Sequence, residues 1–290
     1  MAEVKSIYRS PLRYPGGKNC LYKFVIKLLE DNDLIGTNYA EPYAGGAGLA
    51  LRLMMDEFVN EIYINDLDPS IYAVWFAILN RPDDMCRWLE TVAISVEQWN
   101  EYKRIQREYK TADMLELGKA TFFLNRTNVS GVISGGPIGG VSQLGRYKID
   151  ARFNRQELIS RIDRISRFAH RIHLSNQDGI DFLNVVDRRH NDMFIYLDPP
   201  YYQKGSCLYM NAFEEQDHAA LSKKVELLQN RWMVSYDNHD FILNLYPEAS
   251  KVLYQLSQCA SNRVGDEVLI FDRRIQYLNA VQLLNSPIKL

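Results

Sequence analysis

Hydrophobic and polar positions alternate between two periodicities along the first part of the chain. Leu21 to Leu29 carries apolar residues at helical spacing, and Leu49 to Phe58 repeats that pattern. Two short runs between and after them, Thr37 to Glu41 and Glu61 to Asn65, are typical of strands. The order of strand, glycine-rich turn, helix and strand predicts a parallel, doubly wound α/β sheet.

A middle stretch follows a different pattern. It is predicted to be helical up to Phe123 and then passes through a glycine-rich loop, Gly131 to Gly145, without strand alternation. A loop of that length inside a compact domain is usually functional or mobile. From Gln156 to Ile172, apolar residues recur at helical spacing, which predicts an amphipathic helix.

The α/β pattern returns after Ile172. Met193 to Leu197 is a nearly continuous apolar run, as expected of a buried central strand, and it stops at Asp198. The pattern therefore predicts one α/β domain formed by residues 1–76 and 171–290, with residues 77–170 inserted as a mostly helical domain. The other predicted elements are a helix, a strand and a hairpin: His218 to Leu228, Trp232 to Ser235, and Val252 to Gln258 with Glu267 to Phe271.

Composition places the chain among ordinary soluble globular proteins, with 290 residues, 47% hydrophobic and 24% charged. The sequence has no run of 18 apolar residues, so we expect no membrane span. The N-terminus lacks an apolar signal core, which favours a cytoplasmic location. The histidines match no zinc spacing and the scattered cysteines form no Cys-x-x-Cys pair, so we expect no metal; the cysteines are Cys20, Cys86, Cys207 and Cys259.

Local charge is more informative than the net charge of −2. From Arg146 to His173, eight basic residues face three acidic ones, a local net charge of +5. Such a segment in a near-neutral protein suggests a face directed at nucleic acid, although a solvated helix face explains the charge alone equally simply. Several arginines are spaced to fall largely off the apolar stripe of the predicted helix: Arg161, Arg164, Arg167 and Arg171.

The glycine-rich turn after the first strand is a candidate cofactor site. Gly45, Gly46 and Gly48 allow tight backbone geometry and close approach of a ligand. Asp66 ends the next strand, where a carboxylate can accept hydrogen bonds from ribose hydroxyls. Leu51 stands where the dinucleotide fingerprint has its third glycine. The turn therefore favours a nucleoside-containing cofactor other than NAD, and an NAD-dependent oxidoreductase is disfavoured. A purely structural turn is the alternative.

The tetrapeptide Asp198-Pro199-Pro200-Tyr201 follows a predicted buried strand, at the edge where open α/β sheets bind ligands. An exocyclic amine is a poor nucleophile because its lone pair is delocalised into the ring. Asp198 and the Pro199 carbonyl could each accept one N–H, so that the lone pair points at a methyl donor, while Tyr201 stacks on the base. A proline-rich turn with a capping aspartate is the alternative.

Five motifs occur in the order found in one known family, and their combination is far more specific than any single motif. They are Arg13-Tyr14-Pro15-Gly16-Gly17-Lys18, Glu41-Pro42-Tyr43-Ala44-Gly45-Gly46-Ala47-Gly48, Asn65-Asp66-Leu67-Asp68-Pro69, Asn125-Arg126 with Ser130-Gly131, and Asp198-Pro199-Pro200-Tyr201. Together they resemble the Dam-like (D12 class, alpha-group) DNA adenine N6-methyltransferases, and the resemblance covers nearly the whole chain.

The resemblance implies a Rossmann-like sheet that binds S-adenosylmethionine, with direct methyl transfer to N6 of an adenine flipped out of double-stranded DNA. It places Asp198 between cofactor and base, and Asp178 beside the cofactor adenine. The other implied cofactor contacts are Tyr14, Lys18, Glu41, Gly45, Gly46, Gly48 and Asp66. The inserted domain would be the target-recognition domain, with DNA contacts from Asn125, Arg126, Arg146, Arg152, Arg155, Arg164 and Arg167.

The run Asn125 to Gly131 departs from the pattern of family members that read GATC, so that target is not assumed. Three alternatives stay open: a cytosine-N4 methyltransferase, an RNA methyltransferase, and a DNA-binding subunit that has lost turnover. Ser235-Tyr236-Asp237-Asn238 follows a predicted buried strand, where it could line the base pocket or form a plain turn.

Overall fold

The computed structural model describes residues 10–14, 17–189, 192–203, 213–258 and 263–290. Within these residues, eight strands form one mixed sheet. They are β1 (Asn38–Glu41), β2 (Ile62–Asn65), β3 (Ile172–Ser175), β4 (Met193–Leu197), β5 (Arg231–Asp237), β6 (Ser250–Gln258), β7 (Arg263–Phe271) and β8 (Ile288–Lys289).

The sheet has the strand order β3-β2-β1-β4-β5-β7-β6-β8. Neighbouring strands from β3 to β5 are parallel, whereas β7 runs antiparallel to both β5 and β6. The chain leaves β1 for β2 on one side, and β4 lies on the other, so a topological switch point lies between β1 and β4. Ligands of open α/β sheets bind at the carboxyl ends of the strands at such a point.

Ten α-helices are described. Side-chain caps fix where α3 and α7 begin, because Asp68 accepts a hydrogen bond from Ser70 N ahead of Pro69, and Asn154 accepts one from Glu157 N. The helices are α1 (Tyr22–Asp31), α2 (Gly48–Met55), α3 (Pro69–Asn80), α4 (Pro82–Thr91), α5 (Val96–Arg107), α6 (Met114–Thr127), α7 (Arg155–Arg167), α8 (Gly179–Arg189), α9 (Glu215–Glu226) and α10 (Asp240–Leu245). No helix in the described part of the chain is long and apolar enough to cross a membrane.

The hydrophobic core is divided by the sheet into two clusters, and β4 shows why its sequence is apolar throughout. All five of its residues are buried. Phe194 and Tyr196 pack into the cluster that contains α1 to α7, whereas Ile195 and Leu197 pack into the cluster of α8 to α10. A central strand covered on both faces has no solvent-facing position, so the predicted doubly wound α/β fold is confirmed.

The inserted region packs closely on the rest of the molecule. The division predicted after residue 76 falls inside α3, and α3 packs along α6 where a Cβ on Gly118 would lie 2.5 Å from the Ala73 carbonyl oxygen. Leu89, Phe123 and Ile162 share one hydrophobic cluster with the sheet. The division into two domains therefore stays a prediction about function.

Several predicted helix ends were wrong; the helix predicted over His218 to Leu228, for example, is α9 at Glu215–Glu226. The amphipathic helix ends at Arg167, and Ile172 instead begins β3, where it pairs with Ile62. The helix predicted to reach Phe58 ends at Met55, because Glu57 adopts a left-handed conformation (φ 63°) and Phe58 N bonds back to Leu53 O. The β6–β7 hairpin is present as predicted. Its connecting residues 259–262 lie outside the described residues, as does Cys207.

Candidate active site

A cavity of about 400 Å³ lies at the switch point, between the turn after β1 and the tetrapeptide after β4. Asn125 and the loop residues Val132 to Ser134 also line the cavity. Most of the predicted catalytic and cofactor-binding residues line it: Tyr14, Lys18, Glu41, Gly46, Gly48, Asp66, Asp178, Asp198 and Pro200. Strand order therefore brings together motifs that lie more than 150 residues apart in the sequence.

The glycine-rich turn needs glycine because other side chains pack on its backbone. Gly45 has a left-handed conformation (φ 47°), and a Cβ there would lie 2.5 Å from the Tyr14 ring. A Cβ on Gly48 would lie 2.6 Å from Asn19 Nδ2. Trp75 Nε1 donates to the Gly45 carbonyl at 2.8 Å and holds the turn from behind, a contact that the sequence did not predict.

Asp66 holds the turn as well as lining the cavity. Its Oδ2 accepts a hydrogen bond from Gly45 N at 2.9 Å, and its Oδ1 accepts one from Asp68 N at 3.0 Å. Burial raises the pKa of Asp66 to about 7, even though these bonds favour the charged form. Each carboxylate oxygen keeps a further lone pair, so the contact predicted for ribose hydroxyls is geometrically available.

Asp198 is held on both oxygens. Lys18 Nζ donates to its Oδ2 at 2.8 Å, and Ser235 Oγ donates to its Oδ1 at 2.7 Å. Ser235 is in turn 2.8 Å from the hydroxyl of Tyr196. Lys18, predicted to touch the cofactor, therefore orients the central carboxylate, and Ser235 supports it from outside the residues that line the cavity.

Glu267 on β7 is a second carboxylate beside Lys18, at 3.9 Å from Nζ, and the sequence analysis did not identify it. It is 3% exposed and accepts a hydrogen bond from the Tyr254 hydroxyl at 2.7 Å. Burial raises the pKa of Glu267. Burial alone would lower the pKa of Lys18, but Asp198 and Glu267 outweigh it and raise that pKa. The signal in the sequence that could have identified it is the acidic Glu267 directly before the apolar run Val268 to Phe271.

Glu41, at the end of β1, is a third carboxylate in this part of the site. It is 6% exposed, and its Oε1 accepts a hydrogen bond from the Tyr39 hydroxyl at 3.1 Å. Burial raises the pKa of Glu41 to about 8, and the nearby Asp198 carboxylate adds to the shift.

The tetrapeptide loop is fixed from its C-terminal side. Asp237 accepts hydrogen bonds from Tyr202 N at 3.0 Å and from Gln203 N at 2.8 Å. The Tyr201 ring lies under Lys18, with Nζ at 5.1 Å from the ring centroid. The segment Ser235 to Asn238, predicted to line a base pocket or form a plain turn, thus includes two residues that hold the tetrapeptide and the residues after it.

Asn125, predicted to contact DNA, is engaged inside the protein. It is 1% exposed, its Oδ1 accepts a hydrogen bond from Arg13 N at 2.7 Å, and its Nδ2 donates to Arg13 O at 2.7 Å and Gly131 O at 3.0 Å. This clamp ties the N-terminal motif to the glycine-rich loop. A direct DNA contact by Asn125 stays a prediction.

The predicted DNA-binding arginines fall into two groups. Arg126 donates to the carbonyls of Arg152 and Pro11, and Arg155 donates to the carbonyls of Leu89 and Val92 at the end of α4, so both guanidinium groups bond within the protein. Arg164 is half-buried, whereas Arg167 is exposed and pairs with Asp163 at 2.6 Å. Arg146 and Arg152 are exposed, and both guanidinium groups lie near the Tyr147 ring, at 5.5 and 5.9 Å from its centroid.

The described residues contain no group of three histidine, cysteine, aspartate or glutamate side chains that could hold a metal ion. The family model for D12 class N6 adenine-specific DNA methyltransferases matches residues 14–258. This chain belongs to that family. The D12 motif region therefore spans both the switch-point cavity and the helical insertion.

Two known proteins show how this D12 enzyme compares with others. The type II methyltransferase M.CviBI of Paramecium bursaria Chlorella virus NC1A is 24% identical over 237 residues, which cover 80% of this chain and 86% of that protein. Among solved structures, the rRNA methyltransferase aviRa from Streptomyces viridochromogenes aligns over 88% of this chain and 86% of its own, with 12% identity and a TM-score of 0.37.

Proposed function

We propose that this D12 enzyme transfers a methyl group from S-adenosylmethionine directly to N6 of an adenine flipped out of double-stranded DNA. The observation that carries the proposal is the position of Asp198. Its carboxylate is fixed by Lys18 and Ser235 and faces, across one cavity, the glycine-rich turn that Asp66 holds.

The residues around the cavity fit this cofactor. The volume of about 400 Å³ is within the usual range for small-molecule sites. The side-chain-free backbone at Gly46 and Gly48 allows close approach, and Asp66 would accept hydrogen bonds from ribose hydroxyls. Asp178, which caps α8 by accepting from Ile180 N at 2.8 Å, lines the cavity where the adenine contact is expected. The cofactor supplies a methyl group on a positively charged sulfur.

Asp198 accepts a hydrogen bond from the N6 amino group in this mechanism, and the Pro199 carbonyl accepts the second. Two acceptors favour a pyramidal nitrogen whose lone pair is free to attack, and they stabilise the positive charge that develops on it. Lys18 and Ser235 hold Asp198 in one orientation before the base arrives, so little reorganisation is needed at the moment of reaction. Tyr201 would stack on the base.

The exposed part of the insertion supports DNA as the substrate. Arg146 and Arg152 are available for phosphates, and the exposed apolar side chains of Val141 and Leu144 lie on the same loop. We infer that residues 77–170 act as the target-recognition domain, and that phosphate contacts position the enzyme without choosing its sequence.

The test is mass spectrometry of nucleosides after incubation with methyl-labelled S-adenosylmethionine and separate pools of double-stranded DNA and RNA. N6-methyladenine in the DNA pool is the expected product. N4-methylcytosine, or label only in RNA, would overturn the substrate assignment. Tight DNA binding without any methyl transfer would support the alternative that the chain is a DNA-binding subunit that has lost turnover.

A further inference from the structure

The surroundings of Lys18, beside the tetrapeptide, contain more buried acidic than basic groups among the described residues. In the described part of the site, three carboxylates surround the Lys18 ammonium: Asp198 at 2.8 Å, Glu267 at 3.9 Å, and Glu41 near both Asp198 and Lys18. The side chains of Lys18 and Glu267 are each 4% exposed, so water screens these charges poorly.

Neighbouring elements add hydroxyls but no second cation among the described residues. Glu41 faces Tyr39 from its own strand, Tyr196 from β4, Asp198 just after β4, and the backbone N–H of Ala50 from α2. Glu267 faces Tyr254 from β6, Tyr201 from the tetrapeptide, and Cys20 next to Lys18. Among the described residues, Lys18 is the one cation that faces these carboxylates, and burial raises the pKa of Glu41 and Glu267, which disfavours their charged forms.

An uncompensated buried carboxylate is costly, and a cation that enters the site relieves that cost. We propose that Glu41 and Glu267 make the site select the cationic sulfonium cofactor over its neutral thioether product, S-adenosylhomocysteine, and thereby promote release of the spent cofactor. The inference rests on the proposed use of S-adenosylmethionine.

The charge change follows from the reaction itself. Transfer breaks the sulfur–methyl bond, both electrons stay on sulfur, and the methyl group forms a new bond to N6. One N6 proton then leaves to solvent. The sulfur has then lost its positive charge, while the rest of the cofactor is unchanged, so the difference in affinity between the two ligands reports the electrostatic preference.

The experiment is isothermal titration calorimetry with both ligands on the full-length protein, at a pH of about 8.5, where Glu41, with its pKa of about 8, is mostly ionised. The variants are Glu267→Gln and Glu41→Gln, and each amide keeps the shape and can still accept the tyrosine hydrogen bond. Glu226→Gln, exposed on α9, is the control that removes one charge far from the site.

We expect each site variant to lower the preference for the sulfonium by about tenfold, equivalent to about 1.4 kcal/mol, as a unit charge roughly 10 Å away produces at an effective dielectric constant of about 20. The control should keep the wild-type preference. Equal weakening of both ligands, or an unchanged ratio in both site variants, would overturn the inference. If the wild type binds neither ligand, the proposed cofactor fails instead. Thermal denaturation shows whether either site variant is misfolded. If one is, the ligand preference of the other site variant tests the inference.

Discussion

Replacing Ser235 by alanine tests whether the support of Asp198 matters for catalysis. The substitution removes the 2.7 Å hydrogen bond to Asp198 Oδ1 and also the 2.8 Å partner of the Tyr196 hydroxyl. A hydrogen bond to a charged group contributes about 1.5–3 kcal/mol, so we expect the single-turnover rate to fall roughly 10- to 100-fold. Cofactor affinity should change little, because Ser235 is not among the residues that line the cavity.

The same substitution leaves the buried Tyr196 hydroxyl without its partner, which costs about 1–3 kcal/mol of unfolding free energy. The double variant Ser235→Ala with Tyr196→Phe removes that hydroxyl and should recover much of the stability without recovering the rate. Rapid-quench measurement of methylated adenine and chemical denaturation give the two quantities. A wild-type rate in Ser235→Ala, or a rate restored together with stability in the double variant, would refute the reasoning.

Three further predictions concern charge. Because protonated Asp66 is the poorer acceptor, cofactor affinity should fall about fivefold as the pH falls through about 7, and calorimetry on Asp66→Asn should show that this step is lost. Folding raises the pKa of Glu41 to about 8, so its contribution to the free energy of unfolding is complete below pH of about 4.5 and is lost as pH rises through 8. In Glu41→Gln, the midpoint of chemical denaturation should therefore depend less on pH over that range. A pH dependence identical to that of the wild type would exclude Glu41 as its cause. Arg146→Ala combined with Arg152→Ala should weaken DNA binding and reduce the slope of log binding constant against log salt concentration by about 2, as measured by fluorescence anisotropy. The control Arg155→Ala should instead lower the melting temperature, because Arg155 bonds to carbonyls within the protein. An unchanged slope in the double variant would show that Arg146 and Arg152 do not contact phosphates.

Local patterns predicted the parts of the fold and site that depend on a few consecutive residues. The apolar run before Asp198 predicted a strand buried on both faces, and β4 has this character because its side chains alternate between two hydrophobic clusters. The glycines after β1 predicted a tight turn, and the contacts at Gly45 and Gly48 require one. The doubly wound arrangement then brings both motifs to one switch point.

Contacts between distant segments could not be predicted in this way. Lys18 meets Asp198 across 180 positions of sequence, so its motif indicated a ligand but not a carboxylate partner. Glu267 reaches the site only because β7 inserts antiparallel between β5 and β6, an arrangement that no local pattern encodes.

Charge counting had a similar limit. The basic stretch after Arg146 predicted a DNA-binding face, yet its arginines differ in what they contact. Arg155 binds the carbonyls at the end of α4, whereas Arg146 is exposed. A guanidinium satisfies a carbonyl as readily as a phosphate, and only the packing of the helices decides which one it meets.

The central claim is that Asp198 acts as the hydrogen-bond acceptor for the amine that becomes methylated. Its most direct test is the single-turnover rate of N6-methyladenine formation by Asp198→Asn, measured by mass spectrometry with saturating cofactor and DNA. The amide keeps the size of the side chain but loses the charge that stabilises the reacting nitrogen. We predict a rate at least about 100-fold below the wild type, with DNA binding largely retained. Methylation of adenine at the wild-type rate in this variant would contradict the account.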